Sequence, residues 1–167
     1  MEKIQFSVVG SGIIGIMTAL EIKRRCTGDV VLFERESIFG EHSSGRNSGV
    51  IHSGIYYRNN SLKHIHCVRG KRMWEKLADE FDIPFKKVGK FIFCNSQQEQ
   101  QLGELFLKGQ ENGVQTLGYA DSDQLGYLNE FVDCSSAIWI PDVAIIDQSE
   151  AMKSLLREFE SLPLRRK

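Results

Sequence analysis

The strongest constraint in this 167-residue chain lies in its first 34 positions. Ile4 to Val9 is a short apolar run rich in β-formers, the pattern of a buried parallel strand. It stops at Gly10-Ser11-Gly12-Ile13-Ile14-Gly15, a G-x-G-x-x-G turn, and a helix follows whose Ile13, Ile16, Met17 and Leu20 form one apolar stripe. Asp29 to Glu34 is then a second buried strand that ends in an acid. Each part has a physical reason. Gly10 allows the tight turn, Gly12 lets the backbone approach a pyrophosphate, and Gly15 lets helix and strand pack closely. The helix N-terminus, at Ile13 and Ile14, offers free N–H groups and a positive dipole end to phosphate. Glu34 follows Gly15 at close to the ~20-residue spacing of a carboxylate that binds ribose hydroxyls. A tight turn in some other α/β domain explains the glycines alone, but not strand, helix and acid together. A carboxylate at position 34 also argues against a cofactor with a 2′-phosphate.

A dehydrogenase that binds NAD would continue with a helix and a third parallel strand. This chain enters His42-Ser43-Ser44-Gly45-Arg46-Asn47-Ser48-Gly49-Val50-Ile51-His52-Ser53-Gly54-Ile55-Tyr56-Tyr57 instead. Small residues let a backbone run flat against a planar ring, and the hydroxyls and N–H groups serve a larger cofactor beside the pyrophosphate. That favours FAD. The expected cofactor contacts are therefore Gly10, Gly12, Ile13, Ile14, Gly15, Glu34, Arg35, Ser43, Ser44, Arg46, Asn47 and Ser48. His52 is the candidate catalytic base, because imidazole exchanges a proton near neutral pH; a structural histidine bonded within the loop is the alternative. Arg46 is a bidentate carboxylate clamp or a pyrophosphate contact. Tyr56 and Tyr57 are candidate substrate contacts or half-buried aromatics with satisfied hydroxyls.

Gly10-x-Gly12-x-x-Gly15, Glu34-Arg35 and above all the run from Asn47 to Tyr57 resemble the D-amino-acid-oxidase-like superfamily of FAD oxidoreductases. Within it the chain resembles the L-2-hydroxyglutarate oxidase/dehydrogenase family. The likeness continues through Ser61-Leu62-Lys63, Val88-Gly89-Lys90, Glu111-Asn112-Gly113-Val114 and Ile145-Ile146-Asp147. Arg46 stands where the family commonly has His, and Ala144 where it commonly has Gly. The resemblance implies oxidation of a small 2-hydroxy acid, L-2-hydroxyglutarate to 2-oxoglutarate. The substrate hydroxyl gives its proton to a base, the hydride passes to flavin N5, and oxygen, a quinone or an electron-transfer protein accepts the electrons. An amine or amino-acid oxidase of the same superfamily is the alternative substrate reading, and a nucleotide-binding module without chemistry is the alternative class. Complete members of the family are much longer, so the resemblance implies an N-terminal fragment or truncated product. It also implies a strand after the helix of residues 148 to 160, where this chain has Leu162-Pro163-Leu164-Arg165-Arg166-Lys167.

The expected fold class is α/β, a Rossmann-like FAD-binding domain with part of an α+β substrate domain. The expected divisions are 1–84 for the FAD-binding segment, 85–147 for the substrate-domain segment, and 148–167 for a helix and chain end returning toward the first. The spacing predicts helices over Ser61 to Phe81, Gln97 to Gln110 and Ser122 to Leu128, and a last one striped by Met152, Leu155, Leu156 and Phe159. Strands are expected at Val88 to Cys94, Val114 to Tyr119, Ala137 to Ile140 and Val143 to Ile146. His64 and His66, two apart on a helix, point to different sides and read as surface histidines, not metal ligands; no metal site is expected. Trp74 and Trp139 read as core.

With 21 basic and 22 acidic residues the charge is −1, which gives no reason to expect nucleic acid as a partner. Arg165-Arg166-Lys167 reads as a solvated basic end. Cys26, Cys67, Cys94 and Cys134 form no Cys-x-x-Cys pair, which suits a reducing compartment. Met1 to Lys3 run straight into a strand, leaving no room for a targeting peptide, and no apolar run reaches the ~20 residues of a membrane span. The expectation is a cytoplasmic protein, held peripherally at a membrane if its acceptor is a quinone.

Overall fold

The computed structural model describes residues 4–114 and 117–163. The basic end and the position of the strand implied beyond residue 160 fall largely outside them. Two compact units emerge. The first takes in the chain up to Gly49, Leu77–Pro84 and the stretch from Ile146 onward; the second takes in Val50–Lys76 and Phe85–Ile145.

In the first unit β1 (Ile4–Val9) and β2 (Asp29–Phe33) pair in parallel, with Val8 opposite Leu32 and Val9 opposite Phe33. Between them α1 (Ile13–Arg25) turns Ile16, Ala19 and Leu20 fully inward. The last helix of the chain, Gln148–Ser161, packs on α1 and contributes buried Ala151, Met152 and Leu155. Its start is set by Asp147, whose carboxylate accepts from the Ser149 and Glu150 N–H groups. Burial of each large aliphatic side chain here stabilises by about 1.5–3 kcal/mol. Lys23 is buried as well. Its ammonium donates to the Phe159 carbonyl at 2.6 Å and lies 4.6 Å from the Phe159 ring centroid, so the charge is satisfied.

The second unit holds two three-stranded sheets. One has the order β3 (Val50–Ile51), β8 (Ala144–Ile146), β4 (Phe85–Lys87). The other has the order β5 (Lys90–Cys94), β7 (Ser136–Ile140), β6 (Gly118–Tyr119). Most of α2 (Leu62–Glu80), with α3 (Glu99–Glu111) and α4 (Ser122–Asn129), completes it. Its core gathers Ile55, Leu102, Val114, Ile138, Ile140 and Val143. The Ser61 hydroxyl accepts from the His64 N–H and caps α2, as its position suggested.

Several expectations need correcting. The division at 84/85 does not follow the compact units. Residues 50–76 join the second unit because Ile51 pairs with Ala144 and Ile55 enters the core beside Ile138. The strand expected from Val88 starts at Lys90, and β4 precedes it; Phe85-Lys86-Lys87, with both lysines exposed, lacks a buried-strand pattern. Of the strand expected over Val114 to Tyr119 only Gly118–Tyr119 forms, and residues 115–116 lie outside the described residues. His64 is not a surface residue. It is buried, with its ring bonded to the Asn112 carbonyl.

Candidate functional site

The first unit brings the two ends of the nucleotide motif together. Gly10 turns with φ +98°, open to glycine and rarely to other residues, and its N–H donates to the Phe33 carbonyl at 2.7 Å. The turn is thereby tied to the end of β2. A Cβ on Gly15 would overlap the Gly10 carbonyl oxygen, so the helix reaches this closeness only with glycine there. At Gly12 a Cβ would lie 2.9 Å from the Ser44 hydroxyl. That hydroxyl accepts from the Ile13 N–H at 3.0 Å, so the serine-rich loop caps the first turn of α1.

Glu34 stands where β2 ends. One carboxylate oxygen accepts from the Arg35 and Glu36 N–H groups at 2.7 and 2.9 Å; the other accepts from the Ser11 N–H at 2.7 Å and the Ser11 hydroxyl at 2.6 Å. These donors, the Glu36 N–H foremost and then the Ser11 hydroxyl and N–H, hold the Glu34 pKa at about 2. The group is a fixed anion. Ser11, fully buried, was not among the residues expected from the sequence; it sits at a variable position of the motif, where composition carries no signal.

A cleft of about 350 Å³ opens here, lined among others by Gly10, Gly12, Glu34, Arg35, Ser43 and Ser44. The remaining candidates sit elsewhere. Ile14 is 81% exposed, and Arg46 is exposed and paired with Glu41 at 2.9 Å. Asn47 serves its own loop: its amide donates to the Ser43 and Ser44 carbonyls and its oxygen accepts from the Gly49 N–H. Ser48 is exposed at the surface of that loop.

The second unit holds His52, Tyr56 and Tyr57 together in a smaller cleft of about 70 Å³, with Lys90 and Val143. Lys90 belongs to the Val88-Gly89-Lys90 stretch of the family likeness, but no site role was legible for it in the sequence. Its ammonium donates to the Tyr56 hydroxyl at 3.3 Å and lies 4.6 Å from that ring's centroid. Desolvation first, and the Lys90 charge second, push the His52 pKa below its ordinary 6.5, so the imidazole is neutral at pH 7 and able to take a proton.

The backbone under this cleft is gripped from the end of α3. The Asn112 amide nitrogen donates to the carbonyls of Gly54, Ile55 and Tyr57 at 3.1, 3.3 and 2.9 Å, and the Lys108 ammonium donates to that of Tyr56 at 2.9 Å. His64 is buried because it completes this network. Its Nδ1 accepts from the Asn60 N–H at 3.3 Å, which leaves Nε2 to donate to the Asn112 carbonyl at 3.1 Å. Asn112 sits in the Asn-Gly pair of the Glu111-to-Val114 likeness, at a helix end, where the local pattern signals a helix stop and not a clamp.

The profile of the DAO family, FAD dependent oxidoreductases, matches residues 5–164. The chain belongs to the FAD dependent oxidoreductase family. Curated relatives of this family member include an L-2-hydroxyglutarate dehydrogenase of Indibacter alkaliphilus, 32% identical over 95% of this chain and 40% of its own length. The mitochondrial L-2-hydroxyglutarate dehydrogenase of Caenorhabditis briggsae is 35% identical over 96% and 37%, and that of Homo sapiens 33% identical over 92% and 34%. The chain therefore spans two-fifths or less of the length of these relatives. Among solved structures, the reduced L-alpha-glycerophosphate oxidase of Mycoplasma pneumoniae with FAD bound superposes with a TM-score of 0.84 at 26% identity, over 100% of this chain and 45% of that one. The L-proline dehydrogenase of P. horikoshii shares the fold with a TM-score of 0.75 at 19% identity, over 99% and 44%. The α/β, Rossmann-like class read from the sequence is thus the class of this family member.

The family's cofactor is FAD, and the residues present fit it. A glycine turn stands at a helix N-terminus, and a fixed carboxylate lies at the end of the next strand, both beside an open cleft.

Proposed function

We propose that the protein oxidises a 2-hydroxy acid, L-2-hydroxyglutarate, to the 2-oxo acid. The observation that carries this reading is the identity of 32–35% to L-2-hydroxyglutarate dehydrogenases across more than nine-tenths of the chain. Gly10, Gly12 and the first turn of α1 receive the pyrophosphate, and Glu34 receives the ribose hydroxyls. FAD, when bound, supplies the two-electron acceptor that takes the α-hydride of the substrate at N5. His52 takes the hydroxyl proton, its neutral imidazole being the form a base requires. The Asn112 network fixes the backbone that carries Tyr56 and Tyr57. We assign the cofactor to the first unit and the substrate contacts to the second.

Further parts of this reading concern setting and partners. No described helix is long and apolar enough to cross a membrane, and all four cysteines are free thiols. We propose a cytoplasmic location, which imaging of a tagged chain tests.

The deciding experiment is anaerobic mixing of the flavin-loaded protein with L-2-hydroxyglutarate, followed by the flavin absorbance. Bleaching supports the reading. Bleaching by an amino acid and not by L-2-hydroxyglutarate replaces it with an amino-acid oxidase, and flavin binding without bleaching by either makes the chain a binding module. Recovery of the oxidised band on admitting air identifies oxygen as the acceptor; recovery only with a quinone or an electron-transfer protein identifies those.

A further inference from the structure

We propose that Lys90 and the Tyr56 hydroxyl form a subsite for one carboxylate of a dicarboxylic acid. The reading above supplies the class of acid; the subsite itself rests on geometry within the second unit.

Lys90 opens β5, where its backbone pairs with Ile140 of β7, so the root of the side chain is fixed by the sheet. Its ammonium carries three donors. One is directed at the Tyr56 oxygen at 3.3 Å, and the ring beneath, 4.6 Å away at its centroid, steadies the charge through its π-face. Among the described residues no Asp or Glu oxygen lies within 4 Å of it. That sets it apart from Lys71, which is paired with Asp142, and Lys87, which is paired with Glu75 and Asp142. The cluster around those two lysines is neutralised from within; Lys90 is not. Because the Tyr56 oxygen accepts from the ammonium, its own O–H stays available to donate. Two donors then lie side by side, one of them charged, which is the arrangement that receives the two oxygens of a carboxylate.

Size and position agree with that role. A cleft of about 70 Å³ has room for a group of a few heavy atoms, not a whole substrate. His52 lines the same cleft. Among the residues that line this cleft Lys90 is the one Lys or Arg.

Glutarate is the probe, since it carries both carboxylates and cannot be oxidised at a hydroxyl. Lysines of the protein are labelled as 13C-dimethylamines, which keep their charge, and the Lys90 signal is assigned by its loss in Lys90→Met. Glutarate should shift the Lys90 signal and leave that of Lys71 in place. By calorimetry Lys90→Met should bind glutarate roughly tenfold or more weakly, Lys90→Arg should recover most of the loss, and Tyr56→Phe should fall between. A Lys90 signal that stays still at saturating glutarate, no glutarate binding by the unsubstituted protein, or equal affinity in Lys90→Met overturns the proposal. None of these readouts uses flavin reduction, so a protein that fails to oxidise L-2-hydroxyglutarate but shows the Lys90 shift would retain the subsite and lose the substrate assignment.

Discussion

The cradle around Gly10 and Glu34 and the cleft around His52 and Lys90 are built in opposite ways. The cradle is made mostly of backbone: glycines that make room, N–H groups that hold Glu34, and one hydroxyl that caps α1. The cleft is made of side chains set on a loop whose backbone is held from another helix. A site made of backbone tolerates little substitution at its glycines and much elsewhere. A site made of side chains on a held loop depends on the residues that do the holding, which need not touch the ligand.

Five measurements break or sharpen that contrast. The largest effect belongs to Gly12→Val. Its added carbons meet the Ser44 hydroxyl, already 2.9 Å from a single Cβ, and fill the approach to the pyrophosphate. The purified variant should carry no flavin while glutarate still shifts Lys90; a yellow variant would refute the cradle assignment. His52→Ala should do the reverse. Flavin content stays, and flavin reduction by L-2-hydroxyglutarate slows by ~10²–10⁴ if His52 is the general base. Unchanged reduction would remove His52 from the chemistry, and flavin loss would make it part of the cradle.

Asn112→Ala leaves the carbonyls of Gly54, Ile55 and Tyr57 without their common donor. A loss of about 2–3 kcal/mol is expected, read from the urea midpoint at constant slope. A loss well below 1 kcal/mol would mean that water takes over the role of the amide.

The smallest effects are those of pH. The Glu34 carboxyl is lowered from 4.5 to about 2 in the folded chain. The stability it lends is therefore complete above pH 4.5 and is lost as the pH falls toward 2, a decline read from the urea midpoint at successive pH values. His52 acts in the same direction, although it is the neutral form that the fold favours there. Its lowered pKa keeps the ring neutral as the pH drops below 6.5, so protonating it works against the fold. Lys90→Met should raise that pKa part of the way, the desolvation by neighbouring groups remaining. Titration of the His52 ring signals checks this, and an unmoved midpoint would show that Lys90 does not act on the imidazole.

The contrast also explains what was legible in the sequence. The first strand, its glycine turn, the helix and Glu34 are local, and period and spacing gave them nearly to the residue. Ser11 escaped because a variable position within a motif carries no pattern. The cleft was half legible. His52, Tyr56 and Tyr57 stood out as an unusual run, but Lys90 and Asn112 reach them only through sheet and helix packing, across intervals that no periodicity spans. His64 was misjudged for the same reason: a helix pattern shows which side is apolar, not which polar partners wait on it.

The grip on residues 54–57 has a consequence for diversification. Asn112 and Lys108 take hold of four consecutive carbonyls and of no side chain in that loop. The mount is therefore indifferent to what it carries. Positions 56 and 57 can trade one side chain for another while the chain trace beneath them is conserved, so a lineage with this scaffold can drift toward new acids without first solving the folding of a new loop.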